Sequence, residues 1–368
     1  MRPIVFNGKF YGAGLNGVHR VADRMIREVD ALLAATDPAS RPAASLILPT
    51  RRDWTPELTT IRLEEDPKAT SQVWEQFTLP RRAKGAVLVN LCNLAPVLHR
   101  SKLLMLHDVQ FLFSDSSYPA RQRWGYRLIT PWMARTSREV LTVSEFSRQM
   151  LDLCRVSPRE RTVVIHNGVD HLREEAAQAG VIERLGLSNR PFAVHIGSPK
   201  AYKNTGVLAK AFSDDRLGDV VPVIVGTTEA ALAKVGIAMP PRTVFAGRVS
   251  DGELRSLYEH ALCVLMPSRT EGFGLPPLEA MSVGCPAVIA PAGAMPEVCR
   301  DAVLYADVDA VSDWIAAVRR LRDEPGLREE RIRRGRERAG AFLWSAAGAR
   351  LFERILLAAR DDVPSGRP

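Results

Sequence analysis

Short, uninterrupted apolar runs recur along this chain, each followed by a polar turn and a stretch whose apolar residues keep helical spacing. A first series comprises Ile4–Phe6, Ser45–Leu48, Ala86–Asn90, Leu103–Leu106, Val140–Val143 and Val163–Ile165. A second comprises Phe192–Ile196, Pro222–Val225, Thr243–Phe245, Cys263–Met266, Ala287–Ile289 and Val303–Tyr305. Many runs are continuous rather than alternating, which suits parallel strands covered on both faces. Amphipathic stretches such as Val18–Leu33 and Glu253–His260 supply the cover, so the pattern predicts βαβ units.

At 368 residues the chain is too long for one ordinary domain. The two series are similar in length, which predicts two doubly wound, Rossmann-like α/β domains facing across a cleft. The polar stretch at residues 171–190 marks the boundary, giving domains 1–175 and 176–344. Ala347, Leu351, Ile355 and Leu356 keep helical spacing near the end, so a helix over 345–360 is expected to pack back on the first domain. Asp361–Pro368 reads as unstructured.

No apolar segment approaches the roughly 18 residues of a membrane span. The first residues lack the long apolar stretch and cleavage site of a signal peptide. Five scattered cysteines with no Cys-x-x-Cys pair suit free thiols in a reducing cytoplasm. Residues 1–170 carry 24 Lys and Arg against 17 Asp and Glu, and the remainder 26 against 25. The basic excess therefore belongs to the first half, where it suits a phosphorylated substrate or an anionic membrane surface. Aromatic-plus-basic signatures of nucleic-acid binding are absent, so no nucleic-acid partner is expected. The cluster Arg81, Arg82 and Lys84 is a candidate lipid contact, against the plainer reading of a solubilising loop.

In parallel sheets ligands bind beyond the carboxyl ends of the strands, and a cleft between two such domains is the default site. The segment after Cys263–Met266 reads PSRTEGFGLPPLE. Gly272 and Gly274 permit close approach of backbone N–H groups, and Pro276 and Pro277 suit a helix's first turn. A helix N-terminus seats phosphate. Glu271 before the loop and Glu279 inside the helix are carboxylates suited to sugar hydroxyls; alone, each reads as a solvated surface residue.

With GFGLPPL between them, Glu271 and Glu279 resemble the glutamate–seven residues–glutamate motif of retaining glycosyltransferases of family 4. The likeness extends to NGKFYGAGLNGVHRVA at the start, VSEFSRQ, IHNGVD, HIGSPKAYKN, VFAGRVSDGELRSLYEHALCVLMPS and EAMSVGCPAVIAPAGAMPEV, and so covers nearly the whole chain. It implies the GT-B fold and transfer of a hexose from a nucleotide sugar to a glycan or lipid-linked hydroxyl, with retention and with no metal or other cofactor.

Carried over position by position, Glu271 resembles the glutamate that contacts the donor sugar, and Glu279 the one that binds the ribose. Amides of Phe273, Gly274 and Leu275, beside Gly272, would lie near the sugar and diphosphate. Lys203 matches the diphosphate-binding lysine. Where the family often has an arginine after the glycine corresponding to Gly197, this chain has Ser198, and Lys200 is the candidate replacement. Arg248 lies where the backbone contacts the base. Gly14 and Gly17 resemble the first-loop glycines, and His107 the histidine near the donor sugar.

EGFGLPPLEAM is a segment type common among mannosyltransferases of polysaccharide assembly, so GDP-mannose is the first expected donor, with UDP-sugars and a dTDP-sugar open. Cytoplasmic placement with peripheral contact at the inner membrane face would suit a lipid-linked acceptor. Two other classes compete. A sugar-nucleotide epimerase of the same architecture should lack GFGLPPLE, and a non-catalytic nucleotide-binding scaffold should have lost Glu271, Lys203 or the glycines. His195, inside an apolar strand, reads as structural, and Asp307-Val308-Asp309 as a surface turn rather than a metal-binding DxD.

Overall fold

The computed structural model describes residues 1–112 and 120–360; Asp361–Pro368 lies outside them. The chain forms two compact units. The first holds Met1–Leu112, the segment ending at Asn167, and the stretch that begins at Trp344; the second holds Gly168–Leu343.

The first unit has a seven-stranded parallel sheet: β1 (Ile4–Asn7), β2 (Ala44–Pro49), β3 (Arg62–Asp66), β4 (Val87–Asn90), β5 (Lys102–Met105), β6 (Glu139–Thr142) and β7 (Thr162–Val164). Its order is β3-β2-β1-β4-β5-β6-β7. The apolar runs of β1 and β4 are buried along their whole length. Strand β3 escapes the sequence reading because RLEED has no apolar run. It is an edge strand, and charges on an edge deter pairing with another chain.

Helix Gly17–Ala34 starts at Asn16, whose Oδ1 accepts from His19 N at 3.0 Å. The final helix, Trp344–Arg360, lies along it. They meet at Gly348, where a Cβ would fall 2.1 Å from Glu28 Cβ. Arg354 locks the same helix to the sheet, donating from Nε to Glu139 Oε2 at 2.8 Å and from Nη2 to Oε1. At its end, Arg2 N donates to Ala359 O at 3.1 Å.

The second unit has a six-stranded parallel sheet: β8 (Phe192–Ile196), β9 (Val221–Val225), β10 (Val244–Gly247), β11 (Cys263–Met266), β12 (Ala287–Ile289) and β13 (Leu304–Tyr305). Its order is β10-β9-β8-β11-β12-β13. One core packs Phe212, Leu265, Val288, Trp314 and Leu321 between this sheet and its helices.

The units divide eight residues before the 175/176 boundary read from sequence. Residues 168–175 are mostly polar, yet Val169 and Leu172 are buried and the segment is anchored in the second unit. Arg255 donates to Arg173 O at 2.9 Å and Glu175 O at 2.7 Å, and Val169 N to Phe342 O at 3.0 Å. Among the described residues no helix is long and apolar enough to cross a membrane.

Candidate active site

In the second unit the strand order reverses between β8 and β11. The loops leaving two such strands diverge, opening a crevice at their carboxyl ends. Both strands lead into residues singled out from the sequence.

After β8 the chain passes Gly197, where a Cβ would fall 2.5 Å from Ile224 Cγ2. Ser198 is half-buried and Lys200 exposed. The short turn Ala201–Lys203 follows, and Asn204 ends it in the left-handed region at φ 51°. Asn204 Nδ2 donates to Val308 O at 2.7 Å, and Arg269 N to Tyr202 O at 2.7 Å, which ties this loop to the one after β11. These anchors bring Lys203 Nζ to 2.8 Å from Glu271 Oε1, with only 16% and 12% of the two side chains exposed.

Three residues beyond Glu271, Gly274 takes φ 95° and caps helix Leu275–Ser282, which has prolines in its first turn. A side chain at Gly274 is excluded twice over: its φ is in the region L residues rarely adopt, and a Cβ would fall 1.9 Å from Met295 Cε. The first-turn amides point away from the helix with the positive end of its dipole. Phe273 is buried edge-on against Phe342, ring centroids 5.5 Å apart, and the Arg338 guanidinium lies 4.7 Å from the Phe342 centroid.

Glu279, on the same helix, is 7% exposed and does not join Glu271. Its Oε1 lies 3.3 Å from the Nε2 of the fully buried His171, close enough for an ion pair but off the direction of a hydrogen bond. Arg248 is exposed after β10, which lies two strands from β8 in the sheet. His195 sits inside the sheet, Nδ1 3.0 Å from Leu265 O and Nε2 3.0 Å from Thr205 Oγ1; burial lowers its pKa to about 4. Asp307 Oδ1 accepts from Asp309 N at 2.9 Å in a turn, and Asp309 holds Arg269.

The first unit's order reverses between β1 and β4. Beyond them Gly14 and Gly17 are exposed, Gly14 offering its carbonyl to His19 Nδ1 at 3.0 Å and Gly17 opening the helix. His107 is buried, with Nε2 2.8 Å from Leu91 O. A carbonyl only accepts, so Nε2 carries the proton and Nδ1 a lone pair. Burial holds its pKa near 4, so the ring is neutral at neutral pH.

A polar network missed from the sequence joins this end of the sheet. Glu75, 2% exposed on the π-helical turn Trp74–Thr78, accepts from Asn7 Nδ2 at 2.7 Å and pairs with Lys9. Asn7 Nδ2 also donates to Asn90 Oδ1 at 3.1 Å. Asn7 and Asn90 each close an apolar run, and a polar residue at that position was the available signal. Gly293 and His171 were missed too, since a close backbone approach and a buried counter-group leave no local pattern.

A cation, a carboxylate and a helix start brought together suit a ligand that is anionic at one end and hydroxyl-rich at the other.

Residues 182–338 match the family model described as glycosyl transferases group 1. The chain is 31% identical over 266 residues to O-antigen chain mannosyltransferase B of Escherichia coli, covering 65% of each chain. It is 30% identical over 318 residues to D-inositol 3-phosphate glycosyltransferase of Thermomonospora curvata, covering 70% of this chain and 72% of that one. The chain spans less than two thirds of the length of the O-antigen mannosyltransferases it matches. In fold it resembles sucrose-phosphate synthase from Thermosynechococcus elongatus, with a TM-score of 0.72 at 18% identity over 98% of this chain and all of that one.

Proposed function

We propose, on the premise that the chain belongs to the group 1 glycosyl transferases, that it moves a hexose from a nucleotide sugar to a hydroxyl of a glycan or lipid-linked acceptor with retention at the anomeric carbon. The observation that carries this reading is the 2.8 Å Lys203–Glu271 pair at the strand-order reversal, beside the start of helix Leu275–Ser282.

Lysine has three N–H donors, so Lys203 can keep Glu271 and still donate to a phosphate oxygen. In this reading Lys203 and the amides of Phe273, Gly274 and Leu275 hold the diphosphate, and offset the charge that grows on it as the glycosidic bond breaks. Glu271 accepts from the sugar hydroxyls. Glu279, with Oε1 turned to His171, offers its other oxygen to the ribose. Lys200 and Ser198 border the phosphates, and Arg248 lies toward the base. The first unit supplies the acceptor side through the loop of Gly14 and Gly17. A neutral His107 accepts from a sugar hydroxyl through Nδ1 rather than transferring a proton.

No protein carboxylate is assigned as nucleophile. The acceptor oxygen attacks from the face the diphosphate leaves, passes its proton to a departing phosphate oxygen, and forms the new bond with the configuration kept. The chain's contribution is positioning and electrostatics. With Lys203 and the helix start as the positive charge, the step needs no metal. GDP-mannose is the first donor to test, supported by the names of the O-antigen relatives.

Thermal-shift titration with nucleoside diphosphates and nucleotide sugars tests the assignment. A bound ligand raises the melting temperature by mass action. The preferred nucleotide should stabilise the wild type, and this shift should shrink in Lys203→Ala. Equal shifts in both proteins would remove Lys203 from the site, and an inverted product anomer by NMR would refute retention.

A further inference from the structure

We propose that the outward face of helix Ala120–Thr136, in the first unit, is a docking surface for anionic phospholipid. The helix reads ARQRWGYRLITPWMART, with four arginines and no acidic residue. Its inner face is fully used: Thr130 and Met133 are buried, and Tyr126 and Ile129 pack against the core of Leu104, Leu106, Val140 and Leu151. The opposite face of a surface helix is ordinarily polar. Here it carries Trp124, Leu128 and Trp132, which are 64%, 67% and 60% exposed. At a spacing of four residues they form one stripe about 12 Å long.

Guanidinium groups flank the stripe. The Arg127 guanidinium lies 6.0 Å from the Trp124 ring centroid. Beside Trp132 opens a cleft of about 540 Å³ whose charged lining residues are Arg135, Arg155 and Arg161. Arg161 is steadied by donating to Ser137 O at 2.7 Å. An arginine fork matches the paired oxygens of a phosphodiester. Tryptophan favours the boundary between headgroups and acyl chains. An apolar stripe rimmed by cations is the pattern of a helix lying in that boundary.

The same charge argues against a second copy of this chain as occupant, because a two-fold contact would set these arginines against themselves. The basic cluster singled out from the sequence is a poorer site. Arg82 is spent on Glu64 and Asp66 at 2.7 and 3.3 Å.

The test is co-sedimentation of the full chain with vesicles of phosphatidylcholine alone and of phosphatidylcholine mixed with phosphatidylglycerol. The protein should bind the mixed vesicles and leave the neutral ones, and roughly 1 M salt, where the Debye length is about 3 Å, should release much of it. The W124S/L128S/W132S variant should bind about tenfold more weakly, as should R135Q/R155Q/R161Q, with melting temperature and donor-nucleotide binding unchanged. Tryptophan emission should shift to the blue on the mixed vesicles and not on neutral ones. Equal binding to both vesicle types, no binding to either, or wild-type binding by the W124S/L128S/W132S variant overturns the proposal. So does a dimer in solution that this variant abolishes. None of these readouts uses transferase activity, so they stand apart from the donor-site reading.

Discussion

Gly293 runs so close to Glu271 that a Cβ on it would fall 2.5 Å from both the backbone N and the backbone O of Glu271. Ala294 N donates to that same oxygen at 2.9 Å, so the strand-to-helix turn after β12 fixes where the glutamate side chain begins. Gly293 also sits at φ 64°.

Gly293→Ala should therefore push the Glu271 backbone and displace its carboxylate from Lys203 while both residues keep their identity. A strained left-handed residue costs of order 1–3 kcal/mol. Turnover is expected to fall by about tenfold or more, since an ångström of misplacement has large kinetic effects. Steady-state kinetics beside circular dichroism checks this: normal rates in a folded variant would show that the loop absorbs the clash.

Lys203→Ala and Glu271→Gln should separate the two ends of the donor. The lysine variant should lose affinity for the bare nucleoside diphosphate, measured by calorimetry. The glutamine variant should keep that affinity and lose about tenfold or more in kcat/KM with the nucleotide sugar, the range of a charged hydrogen bond at roughly 1.5–3 kcal/mol. Both losses appearing together in both variants would mean the pair acts as one structural unit.

His107 and His195, one in each unit, are both held near a pKa of 4 by burial, below the ordinary histidine value of 6.5. The unfolded chain then binds more protons between those values, so stability is full above pH 6.5 and falls as the pH drops toward 4. A shift of this size corresponds to roughly 3 kcal/mol for each group. Melting temperature followed from pH 7 to 4 should decline through this window, and less steeply in His195→Asn. An unchanged slope would assign acid sensitivity to other groups.

Gly348→Leu should separate the tail helix from helix Gly17–Ala34, because Glu28 occupies the space a side chain would need. Overpacking costs typically 1–3 kcal/mol. Urea unfolding should show that loss, while nucleotide binding to the second unit persists. Equal loss of both would tie the units into a single cooperative transition.

The strands were legible because continuous Val, Ile and Leu runs leave little else for a buried segment to become; β8 and β11 appear at the residues the runs mark. Strand β3 was not, since an edge needs no apolar run and RLEED offers one leucine among charges. Of the candidate site, the motif located Glu271, Gly274 and Lys203 because local backbone demands write themselves as glycine, proline and turn residues. The second contact layer left no such trace. Nothing near Glu279 in sequence announces that His171, more than a hundred positions away, lies beside its carboxylate. Glu75 was invisible for the same reason: Asn7 and Lys9 reach it from the far end of another βα unit.

The return of Trp344–Arg360 to the first unit sets an order on synthesis. While the ribosome is still making the second unit, the sheet and helices up to Asn167 stand without the element that covers helix Gly17–Ala34 and meets Arg2 and Glu139. Among the described residues the second unit is contiguous in sequence and can close as it emerges. The first unit, begun before the second, is thus completed after it, with a helix face open until Trp344–Arg360 emerges.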